Sequence, residues 1–575
     1  MYILGINAFH GDASACLLKD GKIVNAIEEE RIRRLKHWAG FPSEAINFCL
    51  QDAGISIKDI DHIAISRDPS ANFIKKISHS VKNMVKISSI YNRLMNSRKI
   101  VSVKSLVAKE FHVKENELKA TFHNIEHHRA HMASAFFASP FEEAAVLSID
   151  GFGDFSSVMA GTGRANKMEV TGNVIYPHSL GVFYTTFTQY LSFMNYGDEY
   201  KMMGLAAYGK PSLVDEVRNV IHLTDDGFFK LNEKYFRHPK EGVKMVWENG
   251  VPEIDILYSN YLIEKFGPAR QKHEELTDYH KDLAASVQKV CEDVIMHILN
   301  HLHKKTGMKN LCIAGGVAQN SVANGKIIQN TPFEELYIPS AGHDAGTSIG
   351  AALFVYNQTL GMPRMEPMYF AGLGSKYDND EIKEFLADKN LNYSYHEDDN
   401  LFDMVTDCLI NQSGVVGWFQ GRAEFGPRAL GHRSILVDPR RTDASDLLNL
   451  KIKKRESFRP FAPSILKEYV REYFEQADDV PFMEKVFAIK SEKRANIPAV
   501  THVDGTGRLQ TVHKEYNEKY HRLISCFHEK TGVPILLNTS FNENEPIVNS
   551  PQEALDCFLR TKMDMLVLEN FVVYR

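Results

Sequence analysis

The run Glu126-His127-His128-Arg129-Ala130-His131 holds two imidazoles, His127 and His131, four residues apart. On a helix such a pair shares one face and can chelate a divalent metal. An oxygen ligand must then come from elsewhere in the chain. Asp150, at the end of an apolar run, and Asp344, in a Gly-rich turn, are the candidates. Two histidines with carboxylates suit iron(II), manganese or zinc, and the residue types do not choose among them. The competing reading is a plain polar helix face, because the chain carries 24 histidines.

Three turns rich in Gly and Asp each follow an apolar run. They are Asp150-Gly151-Phe152-Gly153-Asp154, Gly315-Gly316-Val317-Ala318-Gln319-Asn320 and Gly342-His343-Asp344-Ala345-Gly346-Thr347. Glycine lets backbone N–H groups approach phosphate oxygens, and aspartate can hold the counter-metal. One such turn could be merely structural; three in order point to a nucleotide cleft.

A third constellation runs from Gly417 to Ser434. Arg422, Arg428 and Arg433 fall within twelve residues there, among glycines, Trp418, Phe419 and Pro427. Guanidinium groups bind phosphate or carboxylate bidentately and keep their charge. Downstream stand Lys453-x-Arg455, Arg459-Pro460-Phe461, Thr501-His502-Val503-Asp504 with Arg508, and Asn538-Thr539-Ser540-Phe541-Asn542. A salt-bridged surface would not be so interleaved with Trp, Phe and Pro.

The elements that must carry these groups read as α/β. Tyr2–Ile6 is a buried strand, and Ala15–Leu18 and Ile23–Ile27 flank Asp20-Gly21, a hairpin signal. Residues 42–53 read as a helix and 63–66 as a strand. A second strand covers 144–150, a long amphipathic helix about 282–303, and a third strand 310–314. Turn residues then span 341–350. From Ala71 to Lys109 there are nine Lys/Arg and no acidic residue. That stretch is either a solvated basic helical face or a docking site for a polyanion. A domain boundary is expected near residues 358–376, where Pro363, Pro367, Gly372 and Gly374 break the pattern.

The bulk composition agrees with such an architecture. With 575 residues, 44% hydrophobic, the chain is long enough for three or four folding units and too apolar to be disordered. A net charge of −6 argues against nucleic-acid binding by global charge. Seven scattered cysteines with no C-x-x-C pair argue against a disulfide framework or a zinc ribbon. No basic segment precedes the first apolar residues, and no apolar run reaches the roughly 18 residues of a membrane helix, so a cytoplasmic protein without a membrane partner is expected.

At these motifs the chain resembles the O-carbamoyltransferase family, which includes nodulation-factor carbamoyltransferases and antibiotic enzymes of the tobramycin carbamoyltransferase type. The most specific segment is GWFQGRAEFGPRALGHRSILVDPR; KKRESFRPFAPSI, GDEYKMMGLAAYG, GGVAQNSVANGK and LNTSFNENEPIV support it. The resemblance implies a duplicated actin/Hsp70-like (ASKHA) unit over residues 1–360, a linker over 361–375 and a YrdC-like α/β unit over 376–575. It implies that carbamoyl phosphate and ATP, with magnesium, give carbamoyl adenylate and pyrophosphate in the second unit. The carbamoyl group then passes to a hydroxyl of a small natural product in the first unit, releasing AMP. A tRNA threonylcarbamoyladenosine-type modification enzyme is the alternative, since both folds occur in that pathway.

The resemblance also implies roles. His127, His131, Asp150 and Asp344 would ligate a divalent metal, expected as iron(II). His10 beside Asp12 would be the general base, with Lys36 near the acceptor and phosphate. Gly151, Gly153, Lys201, Gly204, Gly315, Gly316 and Asn320 would hold the nucleotide. Arg422, Arg428, Lys453, Arg455, Arg459, Arg508, Ser540 and Asn542 would bind carbamoyl phosphate and ATP. The chain departs from many relatives at His10-Gly11-Asp12-Ala13-Ser14, where they read His-Asp-Ala-Ser. Relatives also suggest a homodimer.

Overall fold

The computed structural model describes residues 1–73, 75–76 and 103–575. Most of the basic stretch from Ala71 to Lys109 therefore lies outside the described residues. Its last part is a helix over Val103–Glu110 that buries Val107 and Ala108.

The chain opens as read. Strand β1 (Tyr2–Asn7) pairs antiparallel with β2 (Ser14–Lys19), which pairs antiparallel with β3 (Lys22–Glu28). Asp20 and Gly21 make the β2–β3 turn with φ of 50° and 84°, the left-handed pair that a tight hairpin needs. Helices α1 (Glu29–Arg33) and α2 (Ser43–Asp52) follow. Strands β4 (His62–Ile65) and β5 (Thr121–Asn124) then add in parallel on the other side of β1, and helix α3 (His127–Phe136) leaves the sheet.

The next segment repeats that plan. Strands β6 (Glu143–Gly153), β7 (Ser156–Arg164) and β8 (Lys167–Ile175) form an antiparallel meander. Helical segments follow, among them α4 (Glu199–Ala206) and the long α5 (Asp278–Thr306). Strands β9 (Asn310–Ala314) and β10 (Glu335–Tyr337) then add in parallel beside β6, and α6 (Thr347–Leu353) ends the repeat. The two sheets thus read 3-2-1-4-5 in their own strand order, with the same parallel and antiparallel pairs. Helix α5 buries the expected stripe of Leu283, Val287, Val290, Val294, Ile298 and Leu302, and Gly307 caps it left-handed at φ 64°.

The turn expected over 341–350 is mostly helical. Asp344–Gly346 is a 3₁₀ turn leading straight into α6. Gly350 is there for packing: a Cβ would run into the Ala130 carbonyl of α3, so the two equivalent helices meet backbone to backbone.

Residues 376–575 contain one mixed nine-stranded sheet. Its strands are β11 (Tyr393–Tyr395), β12 (Val416–Phe419), β13 (Arg433–Val437), β14 (Ala462–Leu466), β15 (Lys485–Ala488), β16 (Thr506–Val512), β17 (Ile535–Ser540), β18 (Met565–Leu568) and β19 (Phe571–Tyr574). They lie in the order β11-β19-β18-β12-β13-β17-β14-β16-β15 over one large apolar core. The crossing residues 361–375 carry only an isolated bridge, Gly372 to Glu424, yet they are tied down. Met368 N–H donates to Ala138 O and Ala26 N–H to Leu373 O. Among the described residues no helix is long and apolar enough to cross a membrane.

Candidate active site

The duplicated unit brings its two halves together at one point. Helix α3 supplies His127 and His131, β6 supplies Asp150, and the turn before α6 supplies Asp344. All four are buried, and their ligand atoms lie within 4.8 Å of one another. His127 Nε2 is 3.1 Å from His131 Nε2, 3.3 Å from Asp150 Oδ2 and 3.5 Å from Asp344 Oδ1. His131 Nε2 is 3.6 Å and 3.3 Å from the same two oxygens. Four donors about 2 Å from a central ion would be spaced like this. The residues fit a divalent metal: two imidazole nitrogens and two carboxylate oxygens converge, away from water, with no lysine or arginine among them. The other oxygen of Asp150 accepts from Gly316 N–H at 2.9 Å, which aims Oδ2 at the imidazoles. Both carboxyls are held below their usual range; burial opposes this, and the histidines outweigh it.

Beside the tetrad, the His10 ring lies 4.7 Å from that of His127, tilted by 30°, and its buried Nε2 has no hydrogen-bond partner. Gly11 therefore does not remove His10 from the cluster. The expected partnership with Asp12 is different: Asp12 Oδ1 binds His37 Nδ1 at 2.8 Å rather than His10. Asp12 and His37 both hold left-handed φ values of 56°, a strained pairing kept by the loops around them. Burial pulls His37 down, but the charge and hydrogen bond of Asp12 raise it to about 9. His37 was legible only as the residue after Lys36. Tyr196, which carried no motif, faces the same group: burial and then Asp344, Asp12 and Asp150 push its hydroxyl well up.

His37, Tyr196 and Lys36 open onto a cavity of about 1020 Å³ that both units line. Its other wall is a cage of cations. Arg428, Lys453, Arg455, Arg459 and Arg508 all face it, with Ser540 and Asn542. Lys453 Nζ donates to Asn542 Oδ1 at 2.7 Å, to Asn542 O at 2.8 Å and to Ser540 Oγ at 3.2 Å, so the two short motifs meet at one ammonium. Burial, then Arg455, drives Lys453 well below the usual lysine range. Burial and the neighbouring arginine Arg459 lower Arg428 to about 10 and Arg455 to about 9, while Arg508 falls well below its usual value from burial, then Arg428. Cations so close, with Glu456 the nearest acid to Arg459 at 3.6 Å, make a patch of positive potential whose chemistry suits an anion.

The remaining expected residues divide. Lys201 and Gly204 line the cavity, Lys201 bridging Asp198 at 3.0 Å and Glu456 of the second unit at 3.2 Å. Gly151, Gly153, Gly315 and Gly316 lie outside its lining; a Cβ at Gly153 would run into His127 and one at Gly316 into Asp150. Two further expected residues have partners within the protein. Asn320 exchanges two hydrogen bonds with Gln288, at 2.9 and 3.0 Å, and its side-chain oxygen accepts from Ala323 N–H. Arg422 is outside the cage: Asp52 takes its guanidinium at 3.0 Å and Gly374 O at 2.8 Å, tying the two units together. Arg433 is likewise structural, buried among the Gln420, Ser375 and Gly421 carbonyls.

Comparison with known proteins gives two matches to family models. Carbamoyltransferase N-terminus matches residues 2–353 and Carbamoyltransferase C-terminus residues 408–575. The chain is 42% identical to protein sll1178 of Synechocystis over all of this chain and 96% of that one. It is 36% identical to nodulation protein NolNO of Sinorhizobium fredii over 99% of this chain and 79% of that one. It is 32% identical to the 3'-hydroxymethylcephem-O-carbamoyltransferase of Amycolatopsis lactamdurans, over 45% of this chain and 47% of that protein.

Proposed function

The chain belongs to the carbamoyltransferase family, and we propose that it is an ATP-dependent O-carbamoyltransferase working in two half-reactions on one cavity. The observation that carries this reading is the cavity itself. One wall is the cation cage; the other is Lys36, His37 and Tyr196, and Asp344 and Asp150 of the tetrad act on the Tyr196 hydroxyl.

In the cage, water hydrolyses carbamoyl phosphate to carbamate and phosphate. A carbamate oxygen then attacks the α-phosphorus of ATP, and the bond to pyrophosphate breaks. Lys453, Arg428, Arg455 and Arg508 hold the negative charge that spreads over the phosphoryl oxygens. Carbamate needs this activation because its anionic carbonyl is a poor electrophile, and adenylation installs a leaving group. The mixed anhydride stays in the cavity, away from bulk water. On the opposite wall Lys36, Lys201 and the His37 imidazolium hold the adenylate phosphate. The acceptor hydroxyl attacks the carbamoyl carbon, its proton goes to His10 Nε2, and the bond to AMP oxygen breaks.

The tetrad would hold a divalent metal, iron(II) in this reading, which supplies Lewis acidity at that end. The first unit is read as actin-like (ASKHA) and the second as YrdC-like, with 361–375 as the connection. The acceptor is read as a hydroxyl-bearing small natural product of the kind the cephem relative's name describes. The tRNA-modifying alternative is not favoured, because an O-carbamoyltransferase stands among the relatives and the net charge is −6.

The test uses purified protein with carbamoyl phosphate, ATP, magnesium and iron(II), and no acceptor. Pyrophosphate and a carbamoyl adenylate mass are expected. Turnover with threonine and bicarbonate instead would move the protein to the tRNA-modification branch.

A further inference from the structure

Arg428 belongs to the C-terminal unit, but the loop that carries it is gripped from the N-terminal one. Gly426 N–H donates to Glu28 Oε1 at 2.7 Å, and Gly426 O accepts from Arg31 Nη2 at 2.6 Å. Glu28 and Arg31 are each only 3% exposed. They face each other as an ion pair at 3.4 Å, Arg31 Nε to Glu28 Oε2, with Glu30 Oε1 3.9 Å from the same nitrogen, and neither of the paired atoms has a hydrogen-bond partner. Gly426 has φ 126°, and a Cβ there would sit 2.5 Å from Ser340 O, so the loop is pressed between this ion pair and the chain leading to Asp344. The same N-terminal segment continues the grip. Arg34 donates to Pro546 O at 2.5 Å and Ile547 O at 2.8 Å, just beyond Asn542.

A buried ion pair is weak ground for stability, because desolvation cancels much of its Coulombic gain. Its best-supported use is to fix one arrangement over others. Here the arrangement it fixes is Gly426-Pro427-Arg428. We propose that Glu28 and Arg31 are positioning residues for Arg428, so that the N-terminal unit completes the anion-binding cage of the C-terminal unit. This rests on the reading of the cage as an anion site. It gives the two units a reason to be one chain beyond sharing a cavity: the first half-reaction needs a clamp that only the other unit supplies.

The test measures inorganic pyrophosphate binding to the full-length protein by titration calorimetry, with thermal melts alongside. Glu28→Leu with Arg31→Met replaces the pair by apolar groups of similar size, a change that often preserves stability. The expected result is a near wild-type melt with pyrophosphate bound about tenfold more weakly, the size of coupling seen between residues that act through one another. In an Arg428→Met background the same pair of changes is expected to cost nothing more. Glu28→Gln, which keeps an oxygen for Gly426 N–H, should bind at near wild-type strength. Unchanged affinity in the pair variant, or losses that simply add to that of Arg428→Met, would overturn the proposal. If Arg428→Met alone leaves pyrophosphate binding intact, the cage reading itself fails and takes this inference with it. Should the pair variant not fold, Arg31→Lys keeps the charge, loses the reach to Gly426 O and carries the same test.

Discussion

The tetrad is buried and the cage half-buried around a buried Lys453, and both are made of ionisable side chains, yet they solve opposite problems. In the tetrad two imidazoles meet two carboxylates, all within 4.8 Å, and the carboxyls are held low. In the cage Lys453 and four arginines face one cavity, and burial and mutual repulsion lower Arg428, Lys453, Arg455 and Arg508. The first is pre-arranged for a cation, the second for an anion. In the proposed reading, keeping both in one fold separates making an activated group from delivering it.

The sharpest way to break this contrast is to empty the tetrad. His127→Ala is expected to abolish metal binding and to lower carbamoyl transfer by more than about a hundredfold, beyond the usual effect of an outer-shell change. Metal analysis checks it; full occupancy in the variant would sink the ligand assignment. On the other side, Lys453→Met is expected to cut pyrophosphate release about a hundredfold, as loss of one preorganised charge does. Its metal content should be unchanged, and normal pyrophosphate release would remove Lys453 from the chemistry.

Smaller changes sharpen the boundary between site and scaffold. Arg422→Ala is expected to lower stability by about 1 kcal/mol, the scale of a partly exposed ion pair. Pyrophosphate affinity should not move, because Asp52 and Gly374 use that guanidinium. The Asp12–His37 pair gives a pH signature. His37 rises from 6.5 to about 9, facing Asp12, Glu30 and Lys36. A raised pKa contributes stability that is complete below the unfolded value and lost as pH passes the folded one. The melting difference between wild type and Asp12→Asn should therefore be largest near pH 6 and fade as pH passes 9. A difference that does not vary with pH would remove the charged pair.

Much of this was legible in the residues. The i, i+4 spacing of His127 and His131, Asp150 at the end of an apolar run and Asp344 in its Gly-rich turn pointed to all four tetrad members, because helix, strand and turn signals are local. The Asp20-Gly21 hairpin and the α5 stripe were legible for the same reason. The pairing of Arg422 with Asp52 was not legible, because an arginine's sequence context does not show whether a distant carboxylate will claim it. The exchange between Asn320 and Gln288 was hidden for the same reason. His37 and Tyr196 were passed over because their role depends on loops meeting across the fold, and the Glu28–Arg31 grip on Gly426 joins residues roughly 400 positions apart, beyond any local pattern.

The most direct test of the two-site account strips the metal with a chelator, restores magnesium, and follows pyrophosphate release from carbamoyl phosphate and ATP. The account predicts that pyrophosphate and carbamoyl adenylate still form while no carbamoylated acceptor appears. Pyrophosphate release that stops with the metal and returns with iron(II) would contradict it, because activation and delivery would then share one site.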